Sequence, residues 1–197
     1  NKVLIVAGQQ PANLALTQLL QFNIEKHNLP VLADIISNQH KLTQAIKHAD
    51  AFLGQAPDSL KESLQPELLI TFGGGVIAKQ VKLFLRKYKS IVHWHIGIEE
   101  PHADTYQSLT HTAAVSPESF FNFLSTIDKK ENFDKQKKEN YQQVWQLEEQ
   151  KAQALITNFF PATTLGEFEI VNDIIKQLPQ DSSLHLANSM SVRYANY

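Results

Sequence analysis

Four short apolar runs, VLIVA (Val3 to Ala7), PVLADII (Pro30 to Ile36), ELLITF (Glu67 to Phe72) and SIVHWHIG (Ser90 to Gly97), recur through the first half of the chain with helical patterns between them. This alternation constrains the fold more than any other feature. Runs of five to eight residues rich in Val, Ile and Leu and closed by Gly or a polar residue read as strands buried on both faces. The intervening segments space their apolar residues for helices, as with Leu14, Leu16, Leu19 and Leu20 between Gln10 and Phe22. Further helices are expected around Lys41 to His48 and over Val76 to Tyr88. THTAAV (Thr110 to Val115) reads as a short last strand, and Ser116 followed by Pro117 reads as the N-cap and first turn of another helix. Strand–helix alternation over this length predicts an α/β fold, an open, mostly parallel sheet flanked by helices on both faces.

The charged run DKKENFDKQKKEN (Asp128 to Asn140) breaks the pattern and reads as a linker or a solvated helix surface. Beyond it Tyr141, Val144, Trp145, Ala152, Leu155, Ile156 and Phe159 fall at helical intervals, GEFEIVNDIIKQLP forms an amphipathic helix, and SLHLAN (Ser183 to Asn188) reads as a strand. We expect a first α/β domain over 1–127, a charged linker or helix over 128–150, and the truncated start of a second α/β domain over 151–197. The absence of an initiator Met at Asn1 and a last helix that stops at Tyr197 suggest a piece of a longer protein.

Composition narrows the function classes. A net charge of −2 gives no basic footprint for nucleic acid and no polybasic membrane patch. No apolar run approaches the ~18 residues of a membrane span. With 0 cysteines there is no disulfide, thiolate metal site or cysteine nucleophile, which suits a cytoplasmic protein.

Three constellations carry chemical content. The first is GGGVIAK, Gly73 to Lys79. Its glycines fit neither the phosphate-binding P-loop nor the dinucleotide fingerprint. Lys79 lies in the first turn of the expected helix, where a cation is disfavoured unless an anion is bound nearby, and the glycines would let that anion approach the backbone. The alternative is a solvated surface lysine after a tight turn. The second is NSMSVR: Ser189 and Arg193 are four apart, so a hydroxyl and a guanidinium share one helical face and suit a carboxylate. Here the alternative is an N-cap plus a surface arginine. The third is histidine. His93 and His95 share a strand face, with His102 and His111 further on, but no zinc-ligand spacing is present and packed or surface histidines are the better reading. Glu99, Glu100 and Asp104 read as a polar loop. There is no nucleophile elbow and no acid–base pair. The residues alone describe an α/β domain with two loop–helix junctions suited to small anions.

The runs ELLITFGGGVIAKQVKLFLRK, HWHIGIEEPHADTYQSLTHTAAVSPESFFNFL and LHLANSMSVRYA, in this order and spacing, resemble the thiamine-diphosphate-dependent synthases of menaquinone biosynthesis, the MenD family. The NS-x-x-x-R element is the most specific part. The resemblance implies a middle domain followed by the start of a carboxyl-terminal diphosphate-binding domain. It implies decarboxylation of 2-oxoglutarate on thiamine diphosphate and addition of the succinyl unit to isochorismate, with Lys79, Ser189 and Arg193 as substrate-binding residues. Thiamine diphosphate and Mg2+ or Mn2+ would serve the full-length enzyme, a homodimer or homotetramer, and none would bind this piece alone, which would be inactive. The competing readings are another thiamine-diphosphate 2-oxoacid enzyme whose middle domain holds a nucleotide, and a non-enzymatic anion-binding module.

Overall fold

A computed structural model of the chain describes residues 2–99, 101, 103–128, 135–159 and 166–197. The expected strands form one sheet: β1 (Val3–Ala7), β2 (Val31–Ala33), β3 (Leu68–Phe72), β4 (Val92–Ile96) and β5 (His111–Ala113). Their order is β2-β1-β3-β4-β5, and every neighbouring pair is parallel. The α/β expectation holds.

Alternation along the strands sorts side chains onto two cores. Ile5, Ala7, Ile70, Phe72 and Ile96 face the helices α1 (Leu14–His27) and α5 (Pro117–Thr126). From α1 come Leu16, Leu20 and Ile24, all buried, and from α5 comes Phe121, edge-on to Phe72 at 5.3 Å. Buried Asn23 joins the two helices, its Nδ2 donating to the carbonyls of Leu19 at 2.8 Å and Phe121 at 2.9 Å. Each helix is capped as its residues dictate: Asn13 Oδ1 accepts the Leu16 amide, and Ser116 Oγ accepts the Ser119 amide ahead of Pro117.

Leu4, Val6 and Leu69 face the other core, which is covered by α2 (Ala49–Leu53), α3 (Asp58–Leu64), α4 (Lys79–Lys87) and α6 (Lys135–Phe159). Trp145 of α6 is fully buried there, edge-on to Phe52 at 6.0 Å and Phe84 at 6.1 Å. Tyr141 donates from its hydroxyl to the Leu64 carbonyl at 2.9 Å. The charged run is therefore helical from Lys135, while residues 129–134 lie outside the described residues. From Tyr141 onward that helix is built into the sheet's core. Two further helices, α7 (Glu167–Gln177) and α8 (Met190–Tyr194), follow.

Several boundaries differ from expectation. The apolar spacing at Lys41 to His48 does not make a helix. Leu42, Ala45 and Ile46 are buried, but Ile46 lies extended beside β2, its amide bonded to the Val31 carbonyl at 2.8 Å and its carbonyl to the Ala33 amide at 3.0 Å. Pairing with an exposed sheet edge outweighs local propensity here. Helix α4 begins at Lys79, not Val76, and the residues before it form a loop with Val76 and Ala78 buried. Helix α3, after Pro57, carried no strong apolar periodicity and went unread. Ser183 to Asn188 is not a strand, because no neighbouring strand among the described residues offers it a ladder.

Candidate functional site

The strand order places the chain reversal between β1 and β3, and in open parallel sheets ligands bind outside the carboxyl ends of strands at such a point. Here the two loops leaving that edge are zipped together. Gly8 donates its amide to the Phe72 carbonyl at 2.8 Å, Gln9 to the Gly75 carbonyl at 3.0 Å, and Gly74 to the Gln9 carbonyl at 2.8 Å. A Cβ on Gly8 would lie 1.9 Å from the Gly74 oxygen, and Gly73 adopts φ +75°, where a Cβ would lie 2.9 Å from the Gly8 oxygen. Two of the three glycines thus serve backbone-to-backbone packing rather than access for an anion; only Gly75 faces open space. These bonds narrow the crevice that would take a nucleotide in this topology, leaving a small cavity lined by Gly8 and Gly73 to Gly75.

The loop leads to Lys79, the first residue of α4, whose side chain is exposed. Protein carboxylates already satisfy the amides around it. Asp34, at the end of β2, accepts the Ile77 amide at 2.7 Å through Oδ2, and Asp50 of α2 accepts the Gln80 amide through Oδ1. The amides of Ala78, Ile36 and Ser37 lie near the Asp34 carboxylate and favour its charged form, although its buried Oδ1 makes no hydrogen bond among the described residues. Burial pushes the Asp34 carboxyl above its ordinary range against the pull of these four amides. An incoming anion would therefore meet the Lys79 ammonium rather than the amides, and among the described residues nothing pairs with that ammonium.

Ser189 and Arg193 lie on α8, both exposed. Ser189 occupies the N-cap position without a side-chain capping bond, and Arg193 Nη1 donates to the Ser189 carbonyl at 2.6 Å. The contact runs from the guanidinium to the Ser189 backbone carbonyl, not to its hydroxyl. The chain brings α8 back to the sheet: the Ile35 amide, next to Asp34, donates to Asn196 Oδ1 at 2.7 Å. A cavity of about 230 Å³ lies between this β2 corner and α7–α8, with Asp34, Lys47, His48, Asn172 and Asn196 on its walls.

The histidines form a packed network. Thr71 Oγ1 lies 2.9 Å from His93 Nε2 and 3.0 Å from His95 Nδ1. A hydroxyl has one hydrogen, so it donates to one ring and accepts an N–H from the other. Ser108 Oγ reaches the second nitrogen of His93 at 3.3 Å, and Tyr106 packs edge-on at 5.8 Å. Burial lowers the pKa of both rings, that of His93 to about 4. Thr71, His93, His95 and Tyr106 line a small cavity of about 50 Å³ on the β3–β4 side of the glycine loop. Among the described residues no group of three or more His, Asp or Glu converges on a point a metal ion could fill. His111 is exposed beside Thr110, and His102 and Glu100 lie outside the described residues. Glu99 is exposed, and Asp104 caps its own turn by accepting the Leu109 amide at 3.0 Å. Burial opposes ionisation of Asp104, but the Leu109, Ser108 and Gln107 amides outweigh it and hold its carboxyl below the ordinary range.

Sequence reasoning missed Asp34, Asp50 and Asn196. A signal existed for Asp34, the one acid inside the apolar run PVLADII; Asp50 and Asn196 carried none.

Comparison with known proteins agrees with this architecture. The family described as "Middle domain of thiamine pyrophosphate" matches residues 1–186. Proteins named 2-succinyl-5-enolpyruvyl-6-hydroxy-3-cyclohexene-1-carboxylate synthase are similar along nearly the whole chain. That of Cytophaga hutchinsonii is 33% identical over 196 residues, covering 99% of this chain and 33% of the relative. That of Flavobacterium psychrophilum is 34% identical over 196 residues, covering 98% and 34%. That of Porphyromonas gingivalis is 33% identical over 195 residues, covering 98% and 33%. The chain thus spans about a third of the length of the curated relatives it matches. With its five-stranded parallel sheet and a family match over residues 1–186, the chain belongs to the family of thiamine pyrophosphate enzyme middle domains.

Proposed function

We propose that the chain is part of a MenD-type synthase that decarboxylates 2-oxoglutarate and adds the succinyl unit to isochorismate. In this reading 1–127 is the middle domain, 128–150 a charged linker or helix, and 151–197 the opening of the diphosphate-binding domain. The observation that carries the proposal is Lys79. It opens α4 at the carboxyl edge of the sheet with its ammonium exposed, while Asp34 and Asp50 occupy the neighbouring amides. A lysine at a helix start is unfavourable by itself, and a substrate carboxylate would reverse that cost. Both substrates carry two or more carboxylates, so cationic groups that fix their orientation are a physical need of the reaction.

Ser189 and Arg193 complete the set. With one guanidinium nitrogen bonded to the Ser189 carbonyl, Arg193 keeps further N–H donors for a bidentate carboxylate contact. Thiamine diphosphate supplies the decarboxylation chemistry, and Mg2+ or Mn2+ would hold its diphosphate. Among the described residues no three metal-ligating side chains converge, and the crevice at the β1–β3 reversal is narrowed by the bonds between the Gly8 and Gly73–Gly75 loops. The cofactor and metal sites belong elsewhere in the protein, and the isolated chain would be inactive. The complete enzyme would be a cytoplasmic homodimer or homotetramer. No helix among the described residues is long and apolar enough to cross a membrane.

Replacing Lys79 by Ala in the full-length protein tests the reading. Loss of one charge-assisted contact of about 1.5–3 kcal/mol should raise the isochorismate KM about 10- to 150-fold. Unchanged kinetics for both substrates would remove Lys79 from the site.

A further inference from the structure

The corner at the end of β2 connects the two parts of the chain that carry the proposed substrate contacts. Asp34 is 8% exposed, and its carboxylate holds the Ile77 amide of the loop before Lys79 at 2.7 Å. The very next residue turns the other way: the Ile35 amide donates to Asn196 Oδ1, also at 2.7 Å. Asn196 closes the turn after α8, its own amide bonded to the Arg193 carbonyl at 3.2 Å. The Asn196 side-chain amide also reaches the Lys47 carbonyl at 3.5 Å, and the adjacent Tyr197 carbonyl meets His48 Nε2 at 3.3 Å. Lys79 and the Ser189–Arg193 pair are thus tethered to two consecutive residues at the corner that follows β2, buried Asp34 and half-buried Ile35.

We propose that Asn196, together with Asp34, is a positioning residue that fixes the separation between Lys79 and the Ser189–Arg193 pair. The proposal rests on the functional reading above and names what holds its two halves in register. A carboxamide suits the task because it offers an acceptor to Ile35 and a donor to Lys47 at once. Register matters because a misplacement of about 1 Å in a binding clamp can cost about 100-fold in rate.

The test uses the full-length protein carrying spin labels at Leu83 on α4 and Asp173 on α7. Helix α7 reports on α8 because Phe168 stacks on Tyr194 at 5.2 Å. Asn196→Asp keeps the acceptor and should keep a single narrow label distance and a KM for isochorismate near that of the parent. Asn196→Leu, and the milder Asn196→Ser, should broaden the distance distribution and raise that KM about tenfold or more, with the isochorismate-independent decarboxylation step retained. A distance distribution unchanged in both Asn196→Leu and Asn196→Ser would overturn the proposal whatever the kinetics. A broadened distribution with unchanged kinetics would instead overturn the assignment of Lys79 and Arg193 to the substrate site.

Discussion

Replacing Gly8 by Ala should be among the most damaging single-methyl changes available to this chain. The added Cβ would lie 1.9 Å from the Gly74 oxygen, 2.9 Å from the Gly74 carbonyl carbon and 3.1 Å from the Phe72 oxygen. All three are backbone atoms, so no side chain can swing away. Relief requires the two loops to part, at the expense of the 2.8 Å Gly8–Phe72 and Gly74–Gln9 bonds and the 3.0 Å Gln9–Gly75 bond. Overpacking of this kind costs about 1–3 kcal/mol, and each weakened hydrogen bond adds about 0.5–1.5 kcal/mol. The reduced freedom of the unfolded chain returns only about 0.4–1 kcal/mol. The net loss should be about 2–4 kcal/mol, a fall in Tm of roughly 5–15 °C for a chain of this size. Gly75→Ala is the internal control. Its Cβ meets nothing within 4 Å and its φ is not positive, so the change should be neutral or slightly stabilising. Urea unfolding of both variants decides the matter. A Gly8→Ala variant within about 0.5 kcal/mol of the parent, or a Gly75→Ala variant equally damaged, would refute the view that the glycine cluster is a packing device.

Trp145→Ala should cost about 3–5 kcal/mol in urea unfolding, since the indole is fully buried between Phe52 and Phe84; a loss below about 1 kcal/mol would mean that α6 does not belong to the sheet's core. Acidification should destabilise the fold through His93. Its pKa is about 4 in the folded chain against 6.5 otherwise, so the unfolded state binds the extra proton between those values. Stability should fall as pH drops from 6.5 toward 4 and level off below, by up to about 2–3 kcal/mol. A His93→Gln variant should lose that part of the pH dependence, and an identical pH profile would contradict the assignment. Asn13→Ala removes the α1 cap and the contact to Glu118 on α5, and thermal melts should show a loss of about 1–2 kcal/mol.

The strands were legible because a parallel sheet buries both faces: Leu4 to Ala7 is apolar without interruption, and Leu68 to Phe72 is interrupted only by Thr71. The cap at Ser116–Pro117 was legible for a local reason, since its signal lies within four residues. Where the outcome depended on distant partners, sequence reading faltered. Ile46 follows helical spacing but pairs with β2, and Ser183 to Asn188 has a strand's composition but no partner strand. The helical spacing from Tyr141 to Phe159 was legible, but not that it places Trp145 in the core of the sheet. At the candidate site, Lys79, Ser189 and Arg193 were visible as residue types with fitting spacing. The carboxylates that fill the amides around Lys79 were not, because Asp34 and Asp50 lie 45 and 29 positions away and meet it only through the fold. The glycines were visible, but only the facing loop at Gly8 reveals that Gly73 and Gly74 pack against backbone while Gly75 faces open space.

The most direct test of the central claim is a structure of the full-length protein with isochorismate bound. The Lys79 Nζ should lie within about 3 Å of a substrate carboxylate oxygen, with the Arg193 guanidinium and Ser189 hydroxyl turned toward the same molecule. A bound substrate whose carboxylates are held by other residues, with Lys79 left in solvent, would contradict it.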